Sequence, residues 1–208
     1  VDALKAAVES GLTSVERIDQ SVRRVLREKF RLGLFDERRY VDPDHAAATI
    51  GSAELTARGR RAQQRSLTLL RNDGLLPLAR ELKVYAEGVD PHAFEGYATV
   101  VDSLAAADVA IVRTSTNNDA DPARGFMGSL HKGRLDYSVA EQERLRALFA
   151  QVPTVLDIYL DRPAILTGLE PAALIGSYGT DDRPFVEVLF GDAKPQGRLP
   201  FDLPSSME

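Results

Sequence analysis

The sequence predicts an α/β fold, a mostly parallel sheet with helices on both faces, preceded by a helical extension. Two observations carry this reading. From Leu82 onward, short apolar runs alternate with stretches of helical periodicity, the pattern of parallel strands buried on both faces. Before residue 66 the apolar residues recur at helical steps instead.

The elements follow in chain order. Thr13 and Glu16 have capping-box spacing, and Val15, Ile18, Val22, Val25, Leu26 and Phe30 then line one helical stripe that ends near Gly33. Residues Val41 to Ile50, with Pro43 and three alanines, read as an irregular connection, and Ser52 to Arg65 as a second, more polar helix. The stretch "SLTLLRNDGLLPL", Ser66 to Leu78, reads as a short buried strand, a polar turn at Asn72-Asp73-Gly74 and an apolar exit closed by Pro77. Strands are expected at Lys83 to Ala86, Val109 to Val112, Thr154 to Leu160 and Ala173 to Ser177. Ser138 and Glu141 repeat the capping spacing before a helix with Val139, Leu145, Leu148 and Phe149 on its apolar face. A last helix from about Pro184 to Phe190 stops at Gly191, and "KPQGRLPFDLP" follows as an extended tail.

Composition narrows the function classes. The 208 residues are 44% hydrophobic and 27% charged, enough for a real core. A net charge of -5 gives no basic face for nucleic acid. No apolar run approaches the roughly 18 residues of a membrane span, and the N-terminus has neither a basic start nor an apolar leader segment. The absence of cysteine excludes disulfides and thiolate chemistry but leaves cytoplasm, periplasm and exterior all open. Three scattered histidines do not make a zinc site.

Five segments, "RIDQSVRRVLREKFRLGLF", "QRSLTLLRNDGLLPL", "AAADVAIV", "PTVLDIYLDRPAIL" and "GDAKPQGRLPFDLPSS", stand in one order across nearly the whole chain. In them the chain resembles the C-terminal part of glycoside hydrolase family 3, the β-glucosidase and exo-glucanase type. The resemblance implies an (α/β)6-type sandwich over residues 80–208, a linker with helix and strand over 41–79, and in residues 1–40 the helical tail of a (β/α)8-type barrel. It also implies that the barrel body, with the family's nucleophilic aspartate, lies upstream of Val1 and is the sandwich's partner. The substrate would be a terminal β-linked sugar, and two carboxyl groups suffice for that reaction, so no cofactor is implied. The 208 residues alone are expected to be inactive. One alternative is a non-catalytic carbohydrate-binding or regulatory module of the same fold; another is an N-acetylglucosaminidase-type enzyme.

The candidate site is the long loop from Thr114 to Asp136, "TSTNNDADPARGFMGSLHKGRLD", which leaves the carboxyl end of the Val109 strand. Ligand sites of open α/β sheets lie at that edge, and loops of this length are more often functional than filler. By resemblance, Asp121 is the candidate acid/base, with Arg124, Phe126, His131 and Asp136 as candidate substrate contacts. Gly128 stands where relatives' Phe-x-Glu-Ser pattern carries a glutamate. Each residue also has a structural reading. Asp121-Pro122 starts turns, His131 can pair with a carboxylate, and Asp136 suits a helix start. Asp157, inside the apolar run "VLDIYL", requires a buried partner such as an arginine or backbone amides. Asp161 and Arg162 follow that strand at the same edge and either line the site or end the strand.

Overall fold

A computed structural model describes residues 1–208 apart from 37–39, 122, 124 and 129. The chain divides into two compact units, Val1–Ser52 and Ala53–Glu208.

The first unit is helical, with α1 (Asp2–Glu9), α2 (Val15–Arg31) and α3 (Pro43–Thr49). The N-cap of α2 is Ser14, whose hydroxyl accepts from the Arg17 amide, so the cap falls one residue beyond the expected Thr13. Lys29 and Arg31 sit in the last turn, where cations favour the helix end. The stripe of α2 stays open, with Val25 and Phe30 each about three-fifths exposed. In place of the irregular connection expected at 41–50 there is α3. Asp42 caps it by accepting from the amides of Asp44 and His45, and Pro43 occupies the first turn, where a missing N–H costs nothing.

The second unit starts with α4 (Ala53–Ser66) and carries a six-stranded sheet in the order β1-β6-β5-β4-β2-β3. Its strands are β1 (Thr68–Asn72), β2 (Lys83–Glu87), β3 (Thr99–Val101), β4 (Val109–Ser115), β5 (Thr154–Tyr159) and β6 (Ala173–Ser177). All neighbours run parallel except β1, which pairs antiparallel with β6 at one edge. The stretch 66–78 thus supplies an edge strand, only its start fully buried. Its polar turn is closed by Asn72, whose side chain accepts from the Leu76 amide and donates to the Leu76 carbonyl at 3.0 and 2.9 Å. The edge strand β3 has no counterpart in the sequence reading, because three residues are too few to establish a period.

Strand alternation builds two cores. Val109 and Ile111 of β4 face one, with Val155, Ile175 and the buried side of α6 (Asp182–Leu189): Phe185, Val186, Val188 and Leu189. Ala110 and Val112 face the other, with Leu156, Ile158 and Leu145 and Leu148 of α5 (Val139–Phe149). The sheet is therefore covered on both faces, as the apolar runs require. Ser138 caps α5 by accepting from the Glu141 amide, as its spacing predicts.

The connections turn outward in opposite directions from β2 and β4, toward β3 on one side and β5 on the other. That reversal is the switch point at which open α/β sheets form a crevice beyond their carboxyl ends. Gly88 lies there, just after β2. Its φ is +72°, and a Cβ on it would sit 2.4 Å from the Arg113 carbonyl oxygen of β4. A Gly88→Ala variant meets both the backbone strain and the clash, and should lose about 1–3 kcal/mol of stability. A urea unfolding midpoint equal to that of the unsubstituted chain would refute this close approach.

Candidate active-site loop

The loop between β4 and α5 leaves the sheet next to the switch point. Its two limbs, residues 116–119 going out and 131–136 returning, are cross-linked into a neck. The Asp119 amide donates to the Lys132 carbonyl at 2.9 Å, and the Asp119 carboxylate accepts from the Arg134 amide at 2.8 Å and the Asn117 side chain at 3.1 Å. These bonds, the Arg134 amide first, hold the Asp119 carboxyl below its usual pKa. Gly133 permits the approach. Its φ is +95°, and any Cβ there would overlap the Asp119 carboxylate.

Two of the expected site residues belong to this neck. His131 places Nδ1 on the Asp161 carboxylate and Nε2 3.0 Å from the Asn117 carbonyl oxygen. Asp161 also accepts from the Thr116 hydroxyl at 2.6 Å, and Thr116 is buried. Burial disfavours the Asp161 charge, but the Thr116 hydroxyl and the His131 ring outweigh it and leave the carboxyl below its usual pKa. Asp136 forms a two-pronged pair with its neighbour Arg134, at 2.7 and 2.6 Å, and this guanidinium lowers its pKa. Arg162 donates to the carbonyls of Asn117 and Arg134 at 2.8 and 2.5 Å.

Beyond the neck lies the tip, 120–130. Asp121 donates its amide to the Gly128 carbonyl at 2.7 Å, and its carboxylate accepts from the Ala123 amide at 3.2 Å, the turn that Asp-Pro sequences favour. A 3-10 turn spans Phe126–Gly128; Phe126 is 79% exposed and Gly128 is buried. Arg124 lies outside the described residues.

The structure thus separates the candidates. His131 and Asp136 join the neck, whereas Asp121 and Phe126 sit on the tip. The neck partners Thr116, Asn117 and Asp119 were not singled out from sequence. The one available signal was Gly133 within "HKGRLD", a glycine that a close approach would demand. Chemically, the arrangement is a carboxylate and an exposed ring carried past the sheet edge on a braced stalk.

The mostly parallel sandwich is a fold that solved β-glucosidases share. In sequence the chain is similar over nearly its whole length to proteins named β-glucosidase, as the C-terminal part of such an enzyme would be. It is 43% identical over 208 residues to a probable β-glucosidase C of Aspergillus flavus, covering 97% of this chain and 32% of that protein. To a periplasmic β-glucosidase/β-xylosidase of Dickeya chrysanthemi it is 36% identical over 211 residues, covering 98% of this chain and 32% of that one. The chain therefore spans about a third of the length of the curated relatives it matches. Among solved structures, a Listeria innocua β-glucosidase in complex with glucose superposes with a TM-score of 0.70 at 24% identity, over 97% of this chain and 34% of that chain. At that identity the superposition speaks for the fold. No protein-family model matches the chain.

Proposed function

We propose that these residues form the sandwich part of a retaining β-glycosidase that removes a terminal β-linked sugar, glucose in the first instance. The likeness to proteins named β-glucosidase over nearly the whole chain carries this reading. The nucleophile belongs to a barrel outside these 208 residues, of which residues 1–40 form the helical tail. The open apolar stripe of α2 supports a missing neighbour of that kind. Asp121 is the proposed acid/base, with Arg124 and Phe126 as sugar contacts from the tip. His131 and Asp136 serve the site from the neck, a role their partners support.

A retaining enzyme forms a covalent glycosyl intermediate and releases its product with the anomeric configuration of the substrate. Proton NMR of an aryl β-glucoside turned over by the whole protein should show the β-anomer of glucose first, and the 208-residue chain alone should be inert. Release of the α-anomer first, or no turnover by the whole protein, would overturn the reading. In the latter case, glucose or cellobiose binding to this chain in calorimetry would identify a carbohydrate-binding module instead, a reading that Gly128 favours by standing where a glutamate is expected.

A further inference from the structure

After β5 the chain passes buried Leu160, and the next two side chains reach into the β4–α5 loop. Each of them grips both limbs of the neck. Asp161 takes the Thr116 hydroxyl from the outgoing limb and the His131 ring from the returning one. Arg162 takes the Asn117 carbonyl from the outgoing limb and the Arg134 carbonyl from the returning one. One dipeptide, fixed to the end of a central strand, therefore grips both limbs by side chain, beside the backbone bonds that tie the Thr116 amide to the Tyr159 carbonyl and the Ile165 amide to the Leu135 carbonyl.

The pairing suits its two members. A carboxylate accepts from a hydroxyl and a ring N–H together, and a guanidinium donates to two carbonyls from one rigid fork. Exchanging the two types would lose these bonds to both limbs. Among the described residues, both side chains bond to the neck and neither bonds to the tip. Their effect on chemistry would run through geometry, since a catalytic group displaced by about 1 Å can lose on the order of 100-fold in rate.

We propose that Asp161 and Arg162 are positioning residues, a clasp that fixes the neck to the end of β5 and so holds tip residue Asp121 at one place over the site. This rests on the reading of the tip as part of a glycosidase site. His131 and Arg134 are where the returning limb is held, and Gly133 lets the limbs meet.

The test uses the whole enzyme with three variants, Thr116→Val, Thr116→Ser and Arg162→Met, and two readouts. Amide hydrogen exchange over residues 120–130 should quicken about tenfold or more in Thr116→Val and Arg162→Met, without change in β4 or β5, as expected for local opening. Turnover of an aryl β-glucoside should fall about tenfold, carried by kcat rather than KM, because orientation is lost and not binding. Thr116→Ser keeps the hydroxyl and should restore both. Unchanged exchange at the tip in both disruptive variants overturns the clasp. Faster exchange with unchanged kcat overturns the positioning role and leaves the glycosidase reading standing. An unsubstituted enzyme with no turnover overturns that reading alone, and exchange then decides the clasp by itself.

Discussion

Replacing Asp121 by Asn in the whole enzyme is expected to lower kcat for an unactivated β-glucoside by about 100 to 10,000-fold, the usual worth of a positioned proton donor. Asp121 is the acid/base that the family resemblance supplies, and the other two described carboxylates of the loop have structural partners. Asp119 is spent on the Arg134 amide and the Asn117 side chain, and Asp136 on the Arg134 guanidinium. Both are held ionised by those partners, which is the wrong state for an acid. Asp121 lies past the neck, on the tip, where the proposed acid would act. Substrates separate the step at which it acts. A glycoside whose leaving group is an acidic phenol departs without protonation, so its first step should be nearly normal in Asp121→Asn. The second step still needs a base to activate water, and azide, which needs none, should restore turnover and yield the β-glycosyl azide. Equal loss for good and poor leaving groups, with no azide rescue, would assign the acid to another residue.

Most of the sandwich was legible because its signals are local. The four apolar residues Val109 to Val112 announce a strand buried on both faces, and Ser138 with Glu141 announces where α5 begins. The misses have physical causes as well. Asp42-Pro43 is a good start signal for α3, but three alanines give no apolar period to follow it. Thr13 and Ser14 are both competent caps, and spacing alone chose the wrong one. The candidate loop was found by its length and its place after β4, neither of which depends on contacts. Its division into neck and tip was not, because Asp119 meets Arg134 across fifteen residues and His131 meets Asp161 across thirty. For Asp157 the reverse held, since a carboxylate in an apolar strand demands a partner and the structure supplies Arg113.

That pair sets the second large expectation, a loss of about 3–5 kcal/mol on replacing Arg113 by Ala. Arg113 and Asp157 stand directly opposite in β4 and β5, and the guanidinium Nε donates to the carboxylate at 2.8 Å. The same guanidinium reaches Asp182 in the first turn of α6 at 2.5 Å and the Thr180 carbonyl at 2.8 Å, and lies 4.5 Å from the centre of the Phe185 ring. It is the polar centre of the sheet's carboxyl edge, joining β4, β5 and α6. Without it Asp157, 1% exposed, keeps a hydroxyl bond from Ser177 at 2.9 Å and, among the described residues, no cation bonded to it. Burial already pushes the Asp157 pKa up despite Arg113, and removing the arginine pushes it further. The sign of the pH dependence follows. A carboxyl whose folded pKa lies above its unfolded value near 3.9 binds its proton more tightly when folded, so its contribution is intact below that value and is lost as pH rises through the folded pKa. Arg113→Ala should therefore be more stable at pH 4 than at pH 7, and the added change Asp157→Asn should remove that difference and recover part of the loss. Urea midpoints of the single and double variants at both pH values check this. Domains have only about 5–15 kcal/mol in hand, so the single variant is expected to be partly unfolded at neutral pH while the double variant still gives a measurable transition. A double variant no more stable than Arg113→Ala at pH 7 would show that the arginine acts through α6 and not through the buried charge.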